Sequence, residues 1–284
     1  MEPSITQETI VRSASASFEE TTFDNQPKIS KGSRVAAAVS FLRAKEAATA
    51  IQDKQEIDQK YSHWRRRTMY GMFVGYAVYY FCRKNLSAAT PGLIQDLGLT
   101  KTQIGSVWSA LYLTYGISKL VNGIIGDRSN ARYFMALGLV LSAITNIFFG
   151  MSSSLVVLGF WWAMNGWFQG MCWPPCARLL AHWYSPNERG TKWAMWNTAH
   201  QVGGGLILVL GGYLTEHYGW RSSFFIPAII GFITALHLIE RLRDTPESLG
   251  LPSIETYRDD KTAKKERSTG SDKKRDVLKQ VLSI

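Results

Sequence analysis

The stretch Met69-Tyr-Gly-Met-Phe-Val-Gly-Tyr-Ala-Val-Tyr-Tyr-Phe-Cys-Arg-Lys84 places two basic residues directly after fourteen uncharged ones. An α-helix over those fourteen residues covers about 21 Å, whereas the hydrocarbon core of a bilayer is about 30 Å thick. A membrane-spanning helix that begins near Met69 must therefore continue through Arg83 and Lys84. Charges at that depth are costly, so they usually face a cavity or a partner.

The chain around this stretch divides into an apolar middle and two polar flanks. Residues 69–240 hold 10 basic and 5 acidic residues, which leaves 22 basic and 17 acidic residues for the other 112 positions. Several apolar runs in the middle are each long enough to cross a bilayer. This pattern excludes a soluble globular enzyme and predicts an all-α integral membrane protein without enzymatic activity.

The apolar runs predict six spanning helices in one transmembrane bundle over residues 58–240. Connections between them are short, so successive helices are expected to be antiparallel neighbours. The six helices are placed at 69–93, 103–125, 133–151, 155–180, 191–214 and 222–240.

The two flanks are predicted to be cytoplasmic. Residues 1–57 are rich in Ser, Thr, Gln and Glu, which is typical of a largely disordered extension, with a surface helix expected over 35–57. Residues 241–284 are predicted to be a linker whose last eight residues begin another apolar stretch. Basic clusters such as Arg65 to Arg67 lie at alternate helix ends, and the positive-inside rule then places both termini in the cytoplasm.

The net charge of +10 does not indicate a nucleic-acid partner, because the basic residues sit in short clusters at the ends of apolar segments. The three cysteines all fall inside apolar segments, without a Cys-x-x-Cys motif or a histidine at zinc-ligand spacing. We expect neither a metal site nor a cofactor.

The first spanning helix carries the clearest ligand-binding pattern. Tyr76, Tyr80 and Arg83 are spaced at i, i+4 and i+7, so they lie on one helical stripe. A guanidinium fork matches the oxygens of a phosphate bidentately. The alternative is that Arg83 extends toward the membrane surface from a short helix.

The second helix repeats this pattern with Tyr112, Tyr115 and Lys119, although Lys119 lies nearer the cytoplasmic end and has the same alternative. In the fifth helix Asn197 and His200 share one face. His200 either binds ligand as a titratable group or forms a hydrogen bond between helices.

Gln169 in the fourth helix is a weaker ligand candidate, with packing as its alternative. Away from the helix ends no Asp or Glu occurs in the predicted spans, so neither a carboxylate proton relay nor a sodium site is indicated. The predicted cavity is cationic, and its tyrosines favour phosphate or a phosphate ester over a hydrophobic ligand.

These residues belong to motifs that resemble the organophosphate:phosphate antiporters of the major facilitator superfamily. The resemblance is strongest to the hexose-phosphate sensor and transporter branch and next to the glycerol-3-phosphate transporters. It rests on Tyr76-Ala-Val-Tyr-Tyr-Phe-Cys-Arg-Lys-Asn85, Tyr115-Gly-Ile-Ser-Lys119, Gly123-Ile-Ile-Gly-Asp-Arg-Ser-Asn-Ala-Arg132, Gly166-Trp-Phe-Gln-Gly170, Trp196-Asn-Thr-Ala-His-Gln-Val-Gly-Gly-Gly205 and Arg243-Asp-Thr-Pro-Glu-Ser-Leu-Gly-Leu-Pro252.

The resemblance implies phosphate binding at Arg83, a cationic pocket completed by Lys84 and Lys119, and substrate coupling at His200. The implied activity is exchange of a hexose phosphate or glycerol 3-phosphate for inorganic phosphate by alternating access, in a bacterial inner membrane. A sensor of hexose phosphate with little transport is the alternative.

The resemblance also implies a cytoplasmic gate between the second and third helices. In it Asp127, Arg128 and Arg132 would latch the loop in one conformation. The charges alone would equally fit a solvated loop.

Members of the family have twelve helices in two pseudo-symmetric halves, whereas six are predicted here. We therefore expect the amino-terminal half of the fold, built from two inverted three-helix repeats and partnered by a carboxy-terminal six-helix half. A homodimer and an inactive half-module are the alternatives.

Overall fold

The chain folds into a helical bundle in which the six predicted spans are formed by eight helices. The structure is a computed structural model that describes residues 49–258. The helices are α1 (Lys54–Leu97), α2 (Lys101–Arg128), α3 (Ala131–Met151), α4 (Leu155–Gln169), α5 (Trp173–Trp183), α6 (Pro186–Asn197), α7 (Ala199–Tyr218) and α8 (Ser222–Arg241), followed by a 3-10 turn (Glu247–Leu249) and the short α9 (Ile254–Tyr257).

The packing of the helices has an internal two-fold pattern. α1 packs against α7 and α8, α4 packs against α2 and α3, and α3 packs against α8. When span 1 is exchanged with span 4, span 2 with span 5 and span 3 with span 6, the contacts of α1 with α7 and α8 become those of α4 with α2 and α3. The contact between α3 and α8 stays the same. This pattern is the one expected of two inverted repeats.

The first helix is much longer than predicted. α1 has 44 residues, so it is about 66 Å long, and its first fifteen residues precede the predicted span. Asp53 caps its start by accepting a hydrogen bond from the Gln55 amide at 3.1 Å. This polar part is helical because it is packed: Tyr61 is fully buried and stacks on Tyr257 with ring centroids 4.0 Å apart.

Two of the predicted spans are divided. The span predicted over 155–180 is α4 followed by α5, with the helix interrupted before Pro174 and Pro175, which cannot donate the hydrogen bonds that a continuous helix needs. The span predicted over 191–214 is α6 and α7, which meet at Thr198. Among the described residues only α3 and α8 are long and apolar enough to cross a membrane on composition alone, because the other spans are divided or carry polar side chains.

A polar network inside the bundle fixes the turn of α1 that precedes Arg83. The side-chain amides of Asn146 and Asn165 both donate to the Cys82 carbonyl, at 3.0 and 2.8 Å. Asn85 donates to Asn146 Oδ1 at 2.7 Å. These buried groups satisfy one another, which is the condition for keeping polar side chains in an apolar interior.

α1 and α7 touch through their backbones. A β-carbon added at Gly203 would lie 2.3 Å from the Ala77 carbonyl oxygen, whereas one at Gly205 would meet no atom within 4 Å. Only a residue without a side chain permits that approach. Within the glycine run at 203–205, this close packing occurs at Gly203.

The chain after α8 returns to the bundle. Leu242 and Ile254 are buried, and the Tyr61 hydroxyl donates to the Pro252 carbonyl at 2.5 Å. Residues 242–258, assigned to the linker from sequence, are thus packed against α1 and its neighbours. The predicted disordered extension up to residue 48 and the linker beyond 258 lie outside the described residues, as does most of the surface helix expected over 35–57.

Candidate anion-binding site

Arg83 lies in the middle of α1 with its guanidinium surrounded by aromatic rings. Its side chain is nearly buried, with 9% of the residue exposed. The guanidinium carbon is 4.3 Å from the Tyr115 ring centroid, 5.2 Å from that of Tyr80 and 5.7 Å from that of Tyr112. Cation–π contacts of this kind orient the guanidinium plane without neutralising its charge.

The two lysines predicted for the site also contact aromatic rings. Lys119 Nζ is 4.7 Å from the Tyr115 centroid, so this ring contacts both Lys119 and Arg83. Lys84 Nζ lies 5.9 Å from the Trp108 centroid. Within residues 49–258 none of the three cations forms an ion pair with a carboxylate.

The Arg83 guanidinium has one unpaired donor, as do Arg178 and four other arginines of the described residues. Arg83 Nε is buried and has no hydrogen-bond partner among the described residues. A buried donor without an acceptor costs free energy unless a ligand or water supplies one. Because the nearest groups are rings and not acids, the missing acceptor is expected to be a ligand anion.

His200 joins this group from α7. Its ring centroid is 5.5 Å from that of Tyr80 and 6.5 Å from that of Tyr76. Tyr80, Arg83, Lys84, His200 and Gln201 line one cavity of about 560 Å³. We call it the central cavity. Its volume is within the usual range for small-molecule sites.

Four predicted ligands do not line the central cavity: Tyr76, Lys119, Gln169 and Asn197. Lys119 lines a separate cavity with Asp127 and Arg178. The Gln169 side-chain amide donates to the Tyr79 carbonyl at 3.1 Å and to Ser142 Oγ at 2.7 Å, so both of its N–H groups are used inside the bundle. These hydrogen bonds agree with the packing alternative for Gln169, and its contact with a ligand stays a prediction. Asn197 is exposed, and its backbone carbonyl accepts a hydrogen bond from His200 Nδ1. It therefore positions His200 through its backbone.

The loop between α2 and α3 is held by residues other than the predicted ones. Arg178 of α5 donates to the carbonyls of Asp127 and Ser129, at 2.6 and 3.0 Å, and pairs with Asp244 Oδ2 at 2.9 Å. Asp244 Oδ1 accepts the Ala131 amide at 2.9 Å. The two charged side chains are only 12% and 2% exposed. We call this set the Arg178 clamp.

The side chains proposed for the gate have smaller roles in the structure. Asp127 and Arg128 are exposed and form no ion pair within the described residues, and the Arg132 guanidinium carbon lies 4.9 Å from the Tyr133 ring centroid. In this structure the loop is held by Arg178 and Asp244, while a gating role of Asp127, Arg128 and Arg132 stays a prediction. Sequence reasoning missed Arg178 and Asp244, although a lone cation in the apolar run Trp173 to Trp183 signals a need for an acid.

In the basic cluster Arg65 to Arg67, Arg65 pairs with Glu188 at the start of α6. Arg258 approaches the same carboxylate at 3.7 Å. Burial raises the pKa of Glu188, but the hydrogen bond and charge of Arg65 outweigh it and leave that pKa below its ordinary value. Burial raises the pKa of the neighbouring Tyr184 to about 12.

The bundle and its cationic cavity define a membrane transport fold. Residues 72–282 match the family model of the Major Facilitator Superfamily, and the chain belongs to that family. Solved transporters share the fold at low sequence identity. A bacterial homologue of the human lysosomal transporter Spinster in an inward-facing, unoccupied conformation is 18% identical, with a TM-score of 0.57 over 65% of this chain and 44% of that one.

The more similar relatives are bacterial membrane proteins. The chain is 52% identical to the "Probable hexose phosphate transport protein" of Chlamydia pneumoniae over 78% of its own length and 48% of the relative's. It is 44% identical to the "Membrane sensor protein UhpC" of Salmonella typhimurium, over 86% and 56%. It is 47% identical to the "Glycerol-3-phosphate transporter" of Bacillus subtilis, over 73% and 48%.

The chain therefore spans about half the length of the curated relatives it matches. These matches confirm the resemblance stated from the motifs, the six-span amino-terminal half of the fold and a non-enzymatic protein of the membrane.

Proposed function

We propose that this chain supplies the phosphate-binding wall of a transporter that exchanges an organophosphate for inorganic phosphate. The single observation that carries the proposal is Arg83: a nearly buried guanidinium among three tyrosines, without an ion-pair partner in the described residues and with an unpaired Nε. The printed names of the relatives from Chlamydia pneumoniae and Bacillus subtilis support a hexose phosphate or glycerol 3-phosphate as the ester.

The contacts suggest how the anion is held. Arg83 would bind two phosphate oxygens with its fork, and Lys84 would add charge within the central cavity. Lys119, which lines a separate cavity, would add charge from behind the Tyr115 ring. His200 on α7 would close the group from the opposite wall of the central cavity. Both the ester and inorganic phosphate present the same oxygens, so one site serves both.

The charge of Arg83 can account for exchange. An empty cavity leaves this buried guanidinium uncompensated, and the penalty opposes the conformational change in the unloaded state. With an anion bound the penalty is removed. Alternating access then proceeds mainly in loaded states, which couples outward movement of one anion to inward movement of another.

The cavity is open along one side of the bundle. Leu208 of α7, which lines the cavity, is 47% exposed, and Gln201, another lining residue, is also exposed. We propose that a second six-helix unit covers this side and completes the cavity, with both ends of the present bundle in the cytoplasm as the basic clusters indicate. Cysteines placed at Ser153 and Ser129 test the orientation: Ser153 should be labelled from outside and Ser129 only from inside.

The decisive measurement is counterflow in proteoliposomes that contain the complete assembly. Vesicles loaded with inorganic phosphate should take up labelled hexose phosphate or glycerol 3-phosphate, and the Arg83→Lys variant should not. A panel of esters would identify the substrate. Unchanged exchange in Arg83→Lys would contradict the proposal.

A sensor is the second candidate, favoured by the 44% identity to the membrane sensor protein over 86% of this chain. It would use the same pocket, because binding and signalling need the same contacts while the conformational change has a different outcome. Tight binding of hexose phosphate without counterflow would favour the sensor, whereas exchange would establish transport.

A further inference from the structure

A second groove lies at the end of α1 that carries Arg65 to Arg67. It encloses about 830 Å³ between α1 and α6, and it shares no residue with the central cavity. We call it the lateral groove and define it by Arg66, Tyr70 and Phe73 of α1 and Glu188, Lys192 and Met195 of α6.

The lateral groove has two cations available for a ligand. Arg66 and Lys192 form no ion pair within residues 49–258. The one protein hydrogen bond recorded for the Arg66 guanidinium there runs from Nε to the Ser62 carbonyl, at 3.2 Å. Glu188, the acid of the groove, is already engaged by Arg65 and Arg258. An anion is therefore the complementary ligand.

The rest of the groove is apolar and runs along the helix. Phe73 lies seven residues beyond Arg66, which is about 10 Å along α1. Tyr70 is 57% exposed and Met195 52% exposed, so both present apolar surface to whatever fills the groove. A charged end followed by an apolar length matches a phospholipid better than a soluble phosphate ester, which has no apolar part to bury.

The direction of the groove supports the same occupant. Tyr70 and Arg83 are thirteen residues apart, so they point about 140° away from each other around α1. The Tyr70 ring lies 5.7 Å from that of His237 on α8. The outer side of α8 exposes Ile233 and Leu236, at 63% and 70%. The groove thus faces the apolar exterior of the bundle and not the central cavity.

We propose that the lateral groove binds an anionic phospholipid. Arg66 and Lys192 contact its headgroup phosphate, and one acyl chain lies along Tyr70, Phe73 and Met195. A basic pocket between helices at the cytoplasmic membrane surface is suited to this ligand. The site is independent of transport, because none of its residues lines the central cavity.

Affinity for lipid in nanodiscs tests the proposal. The full chain, in its membrane assembly, is titrated with fluorescent phosphatidylglycerol in a phosphatidylcholine background. The Arg66→Gln/Lys192→Gln variant should bind about 30-fold more weakly, the combined effect of two basic contacts with an anionic headgroup. The charge-matched control Lys54→Gln/Lys101→Gln removes two exposed cations that lie outside the groove and form no ion pair within residues 49–258, and it should bind as the wild type does.

A second measurement does not depend on the folding of a variant. Phosphatidylglycerol with a photoreactive acyl chain should crosslink the wild-type protein at Tyr70, Phe73 or Met195. Equal binding by both double variants, or crosslinks confined to other helices, would overturn the proposal. Displacement of the lipid by inorganic phosphate would also overturn it, because the groove would then be a site for free phosphate.

Discussion

Arg83 and Arg178 are both largely buried arginines, yet their surroundings are opposite. Arg178 has two carbonyls and the Asp244 carboxylate within 3.0 Å, so its charge is compensated by the protein. Arg83 has three aromatic rings around its guanidinium and forms no ion pair within residues 49–258. The Nε of both arginines is unpaired there, so the two differ in their counter-charge. A compensated cation holds the fold, whereas an uncompensated one invites a ligand. Burial alone therefore does not distinguish a structural arginine from a ligand-binding one.

We expect the largest effect on stability from removing Asp244, the partner of Arg178. We expect Asp244→Ala to destabilise the folded protein by about 3–5 kcal/mol, because it leaves a buried guanidinium without its counter-charge. Thermal or denaturant unfolding in detergent measures the loss. Glu240→Ala, which removes an exposed partner of Arg67, is the control and should change stability far less. Equal effects would mean that the Arg178 clamp is not the stabilising contact.

Arg83→Lys tests the other side of the comparison. It keeps the charge but removes the fork, and we expect phosphate affinity to fall about 100-fold, since one charge-assisted hydrogen bond is lost. Isothermal titration of the complete assembly measures affinity, and the unfolding midpoint should stay close to that of the wild type. Arg178→Lys should show the reverse, with lower stability and a smaller change in affinity. The contrast between the two roles would fail if Arg83→Lys unfolded the protein instead.

A smaller effect is expected from disturbing the contact between α1 and α7, which supports Arg83 and does not involve Arg178. Gly203→Ala places a methyl group against the Ala77 carbonyl, and overpacking of this kind costs about 1–3 kcal/mol. The control Gly212→Ala, on the same helix but outside the central cavity, has open space and should be neutral or slightly stabilising. The unfolding midpoint and the phosphate affinity should both fall in Gly203→Ala, while the contacts of the Arg178 clamp stay unchanged. Identical unfolding midpoints and phosphate affinities for the two variants would show that the close contact does not support the site.

The smallest expected effect concerns a compensated cation nearer the surface. The pKa of Glu188 is lowered in the folded state, so its pairing with Arg65 stabilises the protein above the unfolded pKa and is lost as the pH falls through the folded value. Between neutral pH and about pH 4, wild-type stability should therefore decline slightly more than that of Glu188→Gln. Parallel pH curves for the two proteins would show that this pair contributes nothing.

The sequence was informative where local spacing decides the geometry. Tyr76, Tyr80 and Arg83 share a stripe because the helix period is fixed, and they meet His200 as the motifs implied. The Arg178 clamp was not foreseen, because its two charges are 66 positions apart and only tertiary packing brings them together. The helical start of α1 was missed for the same reason: its polar composition gives no signal until Tyr61 packs on Tyr257.

The contact of Gly203 with Ala77 makes α1 and α7 one mechanical piece. Two helices whose backbones touch cannot slide or separate without losing that fit. In the proposed transporter, Arg83 and His200 would therefore keep a constant separation and would bind the phosphate group with the same geometry in every state. Discrimination among the organic parts of different esters would then depend on the surface that lies across the cavity.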